Sequence, residues 1–358
     1  MSKCKHIAWL ELVEGKAGPL LSYGSRLSQL TRELDNPSAQ FPSIIFLIGG
    51  PLKDRALRHL CRSSYSHQYP KQGSINLRTD TRTKRSQYPR WFADCDPTCW
   101  QLQPLFERPP TCHRHEKIFV EWPSNEYEPY DIILARLLFL FTDVVCIFAD
   151  DIGGLDAVRK LLSTWAFIGS ASSLPQPIRP RVMVIVGGQT TSITQSVMDE
   201  EDFLFHVLEP DGPPLFAAFA DIQTYRLPPP EDRSPDSSFV QLGKDISTQL
   251  HKSRLSRGDL QAMFSAIHLN SFFEDALHRT STSPVSLFDF VVSSRQSNPL
   301  DRAFGSHVFT FVSAGARTRM PYDDLASHIA SAILMDAYPP GMHGLLSPRH
   351  AMYRCTLT

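Results

Sequence analysis

Short apolar runs that alternate with stretches of helical periodicity constrain the fold of this chain more than any other feature of its sequence. Most of these runs are nearly continuous and rich in β-branched residues, which is typical of strands buried on both faces of a sheet. Strands that alternate with helices of this length predict an α/β fold with a mostly parallel sheet and helices on both faces. The predicted strands are Ile44–Ile48, Trp91–Ala93, Lys117–Trp122, Val144–Phe148, Arg181–Val186 and Ile222–Leu227.

The 358-residue length allows one large domain or two smaller ones. Leu20–Leu34 has helical spacing near the N-terminus, and Ser256–Arg279 and Tyr322–Ala337 have it near the C-terminus. Pro228–Ser238 is rich in proline and serine and is the best linker candidate. The predicted regions are a helical arm over residues 1–42, an α/β domain over 43–230, a helical extension over 239–344 and a tail over 345–358.

Charge and cysteine usage exclude several classes of protein. Lys and Arg total 36 against 37 Asp and Glu, so the net charge of -1 predicts no nucleic-acid partner. The odd number of scattered cysteines, 7, and an N-terminus without an apolar signal sequence predict a reducing, cytoplasmic location. The apolar segment Ile132–Ala149 contains Arg136 and Asp143. Each would cost roughly 2.5–3.5 kcal/mol at the middle of a bilayer, so a helix followed directly by a buried strand is predicted instead of a transmembrane segment.

A pair of glycines follows the first buried strand and precedes a helical stretch. Gly49 and Gly50 therefore stand where a phosphate-binding loop would lie, with Lys53 near the helix start. The loop lacks the GK[ST] sequence, Pro51 has no N–H to donate, and Asp54 brings a negative charge. Two interpretations remain open: a site that binds a nucleotide with Mg²⁺ weakly through Lys53, or a turn that has the backbone of such a loop without its chemistry.

Asp94 ends a predicted strand, where nucleotide hydrolases place an acidic residue that holds magnesium. The residue three positions later is Pro97, which has no N–H for a γ-phosphate, so an ordinary strand-end aspartate is the alternative. Gly187–Thr190 follows another strand and contains no base-reading Asn-Lys-x-Asp arrangement. The basic run between the strands is predicted to be a solvated loop; it comprises Arg78, Arg82, Lys84 and Arg85.

Cysteine and histidine suggest a separate metal site. Cys95, Cys99, Cys112 and His115 (or His113) give two closely spaced pairs of ligands in a loop-rich stretch. Four such ligands could form a tetrahedral Zn²⁺ site, although the spacing differs from the common zinc-finger patterns. Unrelated thiols and loop histidines are the alternative interpretation.

The order of these motifs resembles the N-terminal GTPase-like region of fungal proteins that carry a patatin-like phospholipase domain. The resemblance extends over roughly residues 22–344 and implies a P-loop-NTPase-like fold. It places Gly49 and Gly50 at the start of a degenerate P-loop, Lys53 loosely at its lysine and Asp94 at the aspartate of a DxxG turn. The segments that carry it are FPSIIFLIGG, WFADCD, ILARLLFLFTDVVCIFADD, RVMVIVGG and LMDAYPPGMHG.

The resemblance and the missing loop chemistry together predict a non-catalytic regulatory or interaction module. Its expected partner is another protein, or a patatin-like lipase domain in cis or in trans. Two alternatives come from other classes. One is an active nucleotide hydrolase with an atypical loop, in which Lys53, Asp94 and Arg78 or Arg82 replace the standard groups. The other is an adaptor held together by Zn²⁺.

Overall fold

In a computed structural model, the described strands form one nine-stranded sheet. From one edge to the other, its order is β6 (His115–Phe119), β2 (Gly18–Gly24), β1 (Ala8–Gly15), β4 (Ser74–Thr79), β5 (Arg90–Cys95), β3 (Ser43–Ile48), β7 (Val144–Phe148), β8 (Arg181–Val186) and β9 (Asp221–Arg226). Helices pack on the sheet, so the predicted α/β class is confirmed. The structure describes residues 7–15, 18–62, 73–99, 115–120, 122, 127–187, 201, 203, 215–228, 235–260, 262–290, 292–293 and 303–337.

Five strands form the parallel half of the sheet. Strand β3 pairs in parallel with β5 on one side and with β7 on the other, and β8 and β9 continue outward from β7. The buried strands predicted here are confirmed, because β3 and β7 are buried along their whole length. The bounds are β3 Ser43–Ile48, β5 Arg90–Cys95, β7 Val144–Phe148, β8 Arg181–Val186 and β9 Asp221–Arg226.

The other four strands are antiparallel to their neighbours, so the prediction of a mostly parallel sheet is wrong and the sheet is mixed. Strands β1 and β2 pair as an antiparallel hairpin, which needs only a short connection, and β4 joins β1 to β5. Strand β6 pairs with the outer side of β2. The bounds are β1 Ala8–Gly15, β2 Gly18–Gly24, β4 Ser74–Thr79 and β6 His115–Phe119.

Two local predictions are overturned near the N-terminus. The predicted helix Leu20–Leu34 begins instead as strand β2, and helix α1 spans only Arg26–Arg32. The predicted helical arm therefore contributes two strands to the sheet. The basic run that begins at Arg78 is predicted to be a loop, but Arg78 lies in strand β4, Ser74–Thr79, which is buried at every position.

The helices lie on both faces of the sheet, as predicted. One face packs against α2 and α7, through side chains such as Leu57 and Leu242. The other packs against α1, α3, α5 and α8, through side chains such as Leu27, Val158 and Phe272. The bounds are α2 Pro51–Leu60, α3 Pro129–Ile132, α4 Ala149–Ile152, α5 Leu155–Ile168, α6 Leu215–Ala218, α7 Pro235–Asp259, α8 Ala266–Thr282, α9 Phe304–Arg317 and α10 Tyr322–Ala337.

The apolar segment before β7 is a buried helix, as predicted. Helix α3 continues through a π-helical turn at Ile133–Leu137 and a 3₁₀ turn at Leu138–Leu140, and these residues are buried throughout. Among the described helices, none combines the length and the apolar character needed to cross a membrane.

The described part of the C-terminal region is mostly helical, and the helix Tyr322–Ala337 is confirmed. The predicted helix Ser256–Arg279 is wrong as one element, because α7 ends at Asp259 and α8 begins at Ala266. Ser265 caps the new helix by accepting a hydrogen bond from the backbone N–H of His268 at 3.4 Å. The predicted linker is shorter than expected, since α7 begins at Pro235.

Candidate functional site: a glycine loop closed by aspartates

The glycine pair lies at the carboxyl end of β3, an interior strand, where the connections from two adjacent strands lead to opposite sides of the sheet. The connection that leaves β3 through α2 leads toward β5, whereas the connection that leaves β7 through α4 and α5 leads to β8 on the other side. In open α/β sheets, ligands bind in the crevice at such a switch point. The carboxyl ends of β3 and β7 are therefore the expected location of a ligand site.

The N-terminus of α2 faces a carboxylate of the protein itself. Asp151, from the short helix α4 after β7, accepts hydrogen bonds from the backbone N–H of Leu52 at 3.0 Å and of Lys53 at 2.8 Å. Pro51 has no N–H, and the N–H of Asp54 already donates to the carbonyl of Gly50. The first free donors of the helix are thus both bound by one side chain, which also complements the helix dipole.

Gly49 allows this close approach. Its φ of +151° is a conformation that residues with a Cβ rarely adopt. A Cβ on Gly49 would lie 2.8 Å from Oδ2 of Asp151 and 3.0 Å from Cβ of Phe148. Gly50 has more room, since an added Cβ would lie 3.6 Å from Oδ2 of Asp96. The first glycine is therefore required by the aspartate that closes the loop.

The structure brings Lys53 and Asp94 together, but as a buried ion pair. Nζ of Lys53 lies 3.0 Å from Oδ1 of Asp54 and 3.5 Å from Oδ2 of Asp94. Lys53 is 2% exposed and Asp94 is fully buried. Asp94 also pairs with Arg78 and accepts a 3.4 Å hydrogen bond from the side-chain amide of Asn76. The lysine thus faces carboxylates of the protein.

Arg78 corrects the prediction of a solvated basic loop. It lies in β4, is 8% exposed, and its guanidinium pairs with Asp94; burial lowers its pKa to about 10. For the other basic residues of the run the prediction is confirmed, because they lie in a turn whose side chains reach solvent, where they form ion pairs. Arg82 lies 2.9 Å from the buried Asp80, Lys84 lies 3.9 Å from Glu33, and Arg85 lies 3.7 Å from Asp35.

A second aspartate closes the neighbouring loop. Asp150 accepts a hydrogen bond from the backbone N–H of Gly187, which follows β8, at 3.1 Å. Burial raises the pKa of the Asp150 carboxyl, the Gly187 hydrogen bond lowers it, and the charge of Asp151 raises it further. The loops after β3 and β8 are therefore both bound to the acidic pair that follows β7. Residues 188–190, the remainder of the predicted Gly187–Thr190 turn, lie outside the described residues.

The proposed zinc ligands are placed only in part. Cys95 ends β5 within the apolar core and is 1% exposed, and burial raises the pKa of its thiol. Cys99 lies one turn later, with its sulfur 3.5 Å from Oδ2 of Asp96. His115 begins β6, whereas Cys112 and His113 lie outside the described residues. Within the described ranges, no three His, Cys, Asp or Glu side chains are grouped so that they could hold a metal ion.

Sequence reasoning missed Asp151, which interacts with the loop most directly. It lies about a hundred positions from Gly49 in the chain, and the Asp150-Asp151 pair has the composition of a turn. The sequence nevertheless contains a pattern that places Asp150 and Asp151 near the glycine pair. Both the glycine pair and the aspartate pair follow buried strands, and the carboxyl ends of adjacent parallel strands meet at one edge of a sheet.

Comparisons with known proteins assign no family. No family model matches the chain, and no curated protein matches it. Among solved structures, the chain is similar to the siderophore hydrolase EstA from Aspergillus nidulans, with 11% identity over 68% of this chain and 95% of that one. The TM-score of that superposition is 0.24, which supports no inference about fold or function.

Proposed function

We propose that the chain is a GTPase-like α/β module without nucleotide hydrolysis, acting as a regulatory or interaction domain. One observation carries the proposal: the Asp151 carboxylate accepts the backbone N–H groups of both Leu52 and Lys53. Such groups at a helix N-terminus are what holds phosphate oxygens in a phosphate-binding loop. Because both N–H groups already donate to the Asp151 carboxylate, neither is free to bind an incoming phosphate.

The charges around the loop support the same conclusion. Lys53 is the lysine closest in sequence to the glycine pair, and it is shared between Asp54 and Asp94. Asp96 and Asp151 both lie near Gly50. A triphosphate placed there would meet several carboxylates in a partly desolvated crevice, where like charges repel strongly.

A nucleotide with Mg²⁺ does not fit these residues. In a working loop, the lysine is followed by a Ser or Thr whose hydroxyl binds the magnesium ion. Here Asp54 follows Lys53, and its carboxylate is bound to the lysine that should reach the outer phosphates. We therefore derive no catalytic step through a nucleotide.

The position of the loop supports descent from a nucleotide-binding fold. The glycine pair follows β3, an interior strand of the parallel half of the sheet, and lies at its switch point. A P-loop-NTPase-like fold is thus part of the proposal, together with the resemblance to the GTPase-like regions of fungal patatin-like phospholipase proteins. That resemblance makes a patatin-like lipase domain, in cis or in trans, the proposed partner.

Calorimetric titration with GTP and with ATP, each with Mg²⁺, tests the absence of nucleotide binding. We expect no binding tighter than about 1 mM by the wild-type chain. Asp151→Ala frees two N–H donors, so this variant should gain weak, saturable binding of inorganic phosphate. Asp156→Ala, which removes a half-exposed carboxylate from α5, is the matched control and should bind no phosphate.

Micromolar nucleotide binding by the wild type would contradict the proposal. If Lys53→Met abolished that binding without unfolding the protein, the active hydrolase with an atypical loop would be the better assignment. The partner is tested separately, by mixing the chain with a recombinant patatin-like lipase domain and following sedimentation and phospholipase activity. Failure to form a complex would refute that partner and leave the nucleotide result unaffected.

A further inference from the structure

The chain is nearly neutral as a whole, but one part of its sequence is strongly basic. Between Arg55 and Ala93 there are nine Lys and Arg residues and one acidic residue, Asp80. Asp80 is fully buried and pairs with Arg82 at 2.9 Å and with Arg90 at 2.8 Å. The segment therefore has a large excess of positive charge that its own acidic residue does not balance.

Helices α2 and α7 lie side by side on one face of the sheet, where both contribute to the same apolar cluster. A Cβ on Gly243 of α7 would lie 3.1 Å from Cδ2 of Leu60, the last residue of α2. The ring of His59 stacks on Phe239, with the ring centres 5.3 Å apart. The outward sides of the two helices thus form one continuous surface.

Five basic side chains on this surface are exposed. Within the described part of the chain, none of the five side chains forms an ion pair or a hydrogen bond. We call them the basic face; they are Arg55, Arg58 and Arg62, on or just after α2, and Lys244 and Lys252 on α7.

The acidic residues of the two helices do little to neutralise the basic face. Asp54 lies 3.0 Å from Nζ of Lys53, to which it is bound. Asp245 accepts a hydrogen bond from the side-chain amide of Gln241 at 3.3 Å. The remaining two, Asp236 and Asp259, lie at the opposite ends of α7.

Two exposed aliphatic side chains accompany the lysines of α7. Val240, 58% exposed, lies one turn before Lys244, and Leu255, 54% exposed, lies one turn after Lys252. Residues three or four positions apart share one side of a helix. Each lysine is therefore next to an aliphatic side chain that reaches solvent.

We propose that the basic face binds the surface of a membrane that contains anionic phospholipids. The lipid headgroups supply the negative charge, and Val240 and Leu255 enter the boundary between headgroups and acyl chains. Two helices packed side by side on a sheet form a broad surface, which matches a planar partner. A nucleic acid would supply negative charge as well, but its phosphates would offer no apolar contact to the aliphatic side chains.

Cosedimentation with sucrose-loaded vesicles tests the proposal. The vesicles consist of phosphatidylcholine alone or with about 30% phosphatidylserine, in about 0.1 M NaCl. We expect at least tenfold tighter binding to the vesicles that contain phosphatidylserine. Raising the salt to about 0.5 M should weaken this binding tenfold or more, because the Debye length becomes shorter.

A double variant, Arg58→Gln with Lys244→Gln, should bind the anionic vesicles at least tenfold more weakly, since each basic residue near such a surface contributes about fivefold. The matched control is Arg32→Gln with Lys160→Gln. It removes the same two residue types from exposed positions on α1 and α5, which pack on the opposite face of the sheet. Its affinity should change less than twofold.

A second double variant, Val240→Ser with Leu255→Ser, separates a membrane from a soluble acidic partner. It keeps every charge, and we expect at least fivefold weaker vesicle binding because neither side chain can then enter the bilayer boundary. Unchanged vesicle binding in this variant would overturn the proposal, as would binding of polyglutamate or duplex RNA as tight as that of the vesicles. Equal binding to the two kinds of vesicle, no binding to either, or equal losses in the basic-face variant and its control would also overturn it.

The proposal does not depend on the proposed function, since it uses no residue of the glycine loop. Nucleotide binding and vesicle binding can therefore fail separately.

Discussion

Arg136 is a buried charged residue whose hydrogen bonds connect separate segments of the chain. Its guanidinium donates to the carbonyl oxygens of Pro284 and Val285, each at 2.6 Å, of Ser286 at 2.9 Å and of Gly169 at 3.2 Å. Burial lowers its pKa. One side chain thus joins the buried helical segment before β7 to the loop after α8, and a planar fork of donors is needed to reach all four oxygens.

We expect Arg136→Lys to destabilise the protein by about 1–3 kcal/mol, because one ammonium cannot donate to four carbonyl groups and some of these partly buried groups would lose their donor. Urea unfolding at neutral pH measures the loss. Arg159→Lys is the control, since Arg159 is only partly buried on α5 and pairs loosely with Asp156 at 3.9 Å. An equal effect of the two substitutions would contradict the role of Arg136.

Asp131 makes the stability of the fold depend on pH. Burial raises the pKa of its carboxyl from 3.8 to about 6, and the 2.6 Å hydrogen bond from Nε1 of Trp165 opposes part of that shift. The folded protein therefore holds this proton more tightly than the unfolded chain. The resulting stability is fully present below pH 3.8 and is lost as the pH rises through about 6.

Asp131→Asn keeps an oxygen acceptor for Trp165 without a charge. We expect it to stabilise the protein by about 1–3 kcal/mol at pH 8 and to change little at about pH 4. Urea unfolding at both pH values measures the difference. Asp156→Asn is the control and should show no such gain. A variant that is less stable than the wild type at pH 8 would show that the Asp131 charge is favourable.

At the scale of elements, six of the nine described strands could be predicted from sequence, whereas β1, β2 and β4 were missed. Strands β3, β7 and β8 are apolar runs whose local composition suffices. Strand β4 alternates apolar side chains with Asn76 and Arg78, so it has the composition of a polar loop. Those polar groups are buried because Asp94 of the adjacent strand pairs with them, and only the tertiary structure supplies that partner.

The candidate site was predictable to a similar extent. A strand, two glycines and a helix indicated the loop, and the missing hydroxyl and the proline indicated that its chemistry is absent. The interaction of Asp151 with that loop depends on the pairing of β3 with β7, which no local pattern near Gly49 specifies. The sequence near Gly49 therefore predicts the N–H donors of the site, but not the Asp151 carboxylate that accepts from them.

The pair of helices α9 and α10 offers a test of packing between elements. A Cβ on Gly315 of α9 would lie 3.2 Å from Cγ of Leu325 and closer still to Cδ2. Gly315→Ala should therefore separate the two helices and destabilise their packing by about 1–3 kcal/mol, although alanine favours helix. Hydrogen exchange of the amides in α9 and α10 should become faster.

Gly305 is the matched control in the same helix, because no described atom outside the helix backbone lies within 4 Å of the place its Cβ would take. Gly305→Ala should leave hydrogen exchange unchanged or make it slower by the gain in helix propensity. Faster exchange in Gly305→Ala, or unchanged exchange in Gly315→Ala, would contradict the packing of α9 on α10.

At the scale of the whole molecule, the two edges of the parallel half-sheet have opposite character. At the carboxyl edge, Asp150 and Asp151 bind the loops after β3 and β8, so donors that could hold an anion are already used. At the amino edge, Nε of Arg254 donates to the hydroxyl of Ser43, while its Nη1 and Nη2 have no hydrogen-bond partner among the described residues. The two edges therefore differ in whether their hydrogen-bond donors are already bound by other groups of the protein.

A crystal structure of the chain grown with Mg²⁺ and a non-hydrolysable GTP analogue would test the central claim most directly. We predict that Asp151 remains hydrogen-bonded to the amides of Leu52 and Lys53 and that the loop binds no nucleotide. Ordered triphosphate over Gly49 and Gly50, with Asp151 displaced from those amides, would contradict it.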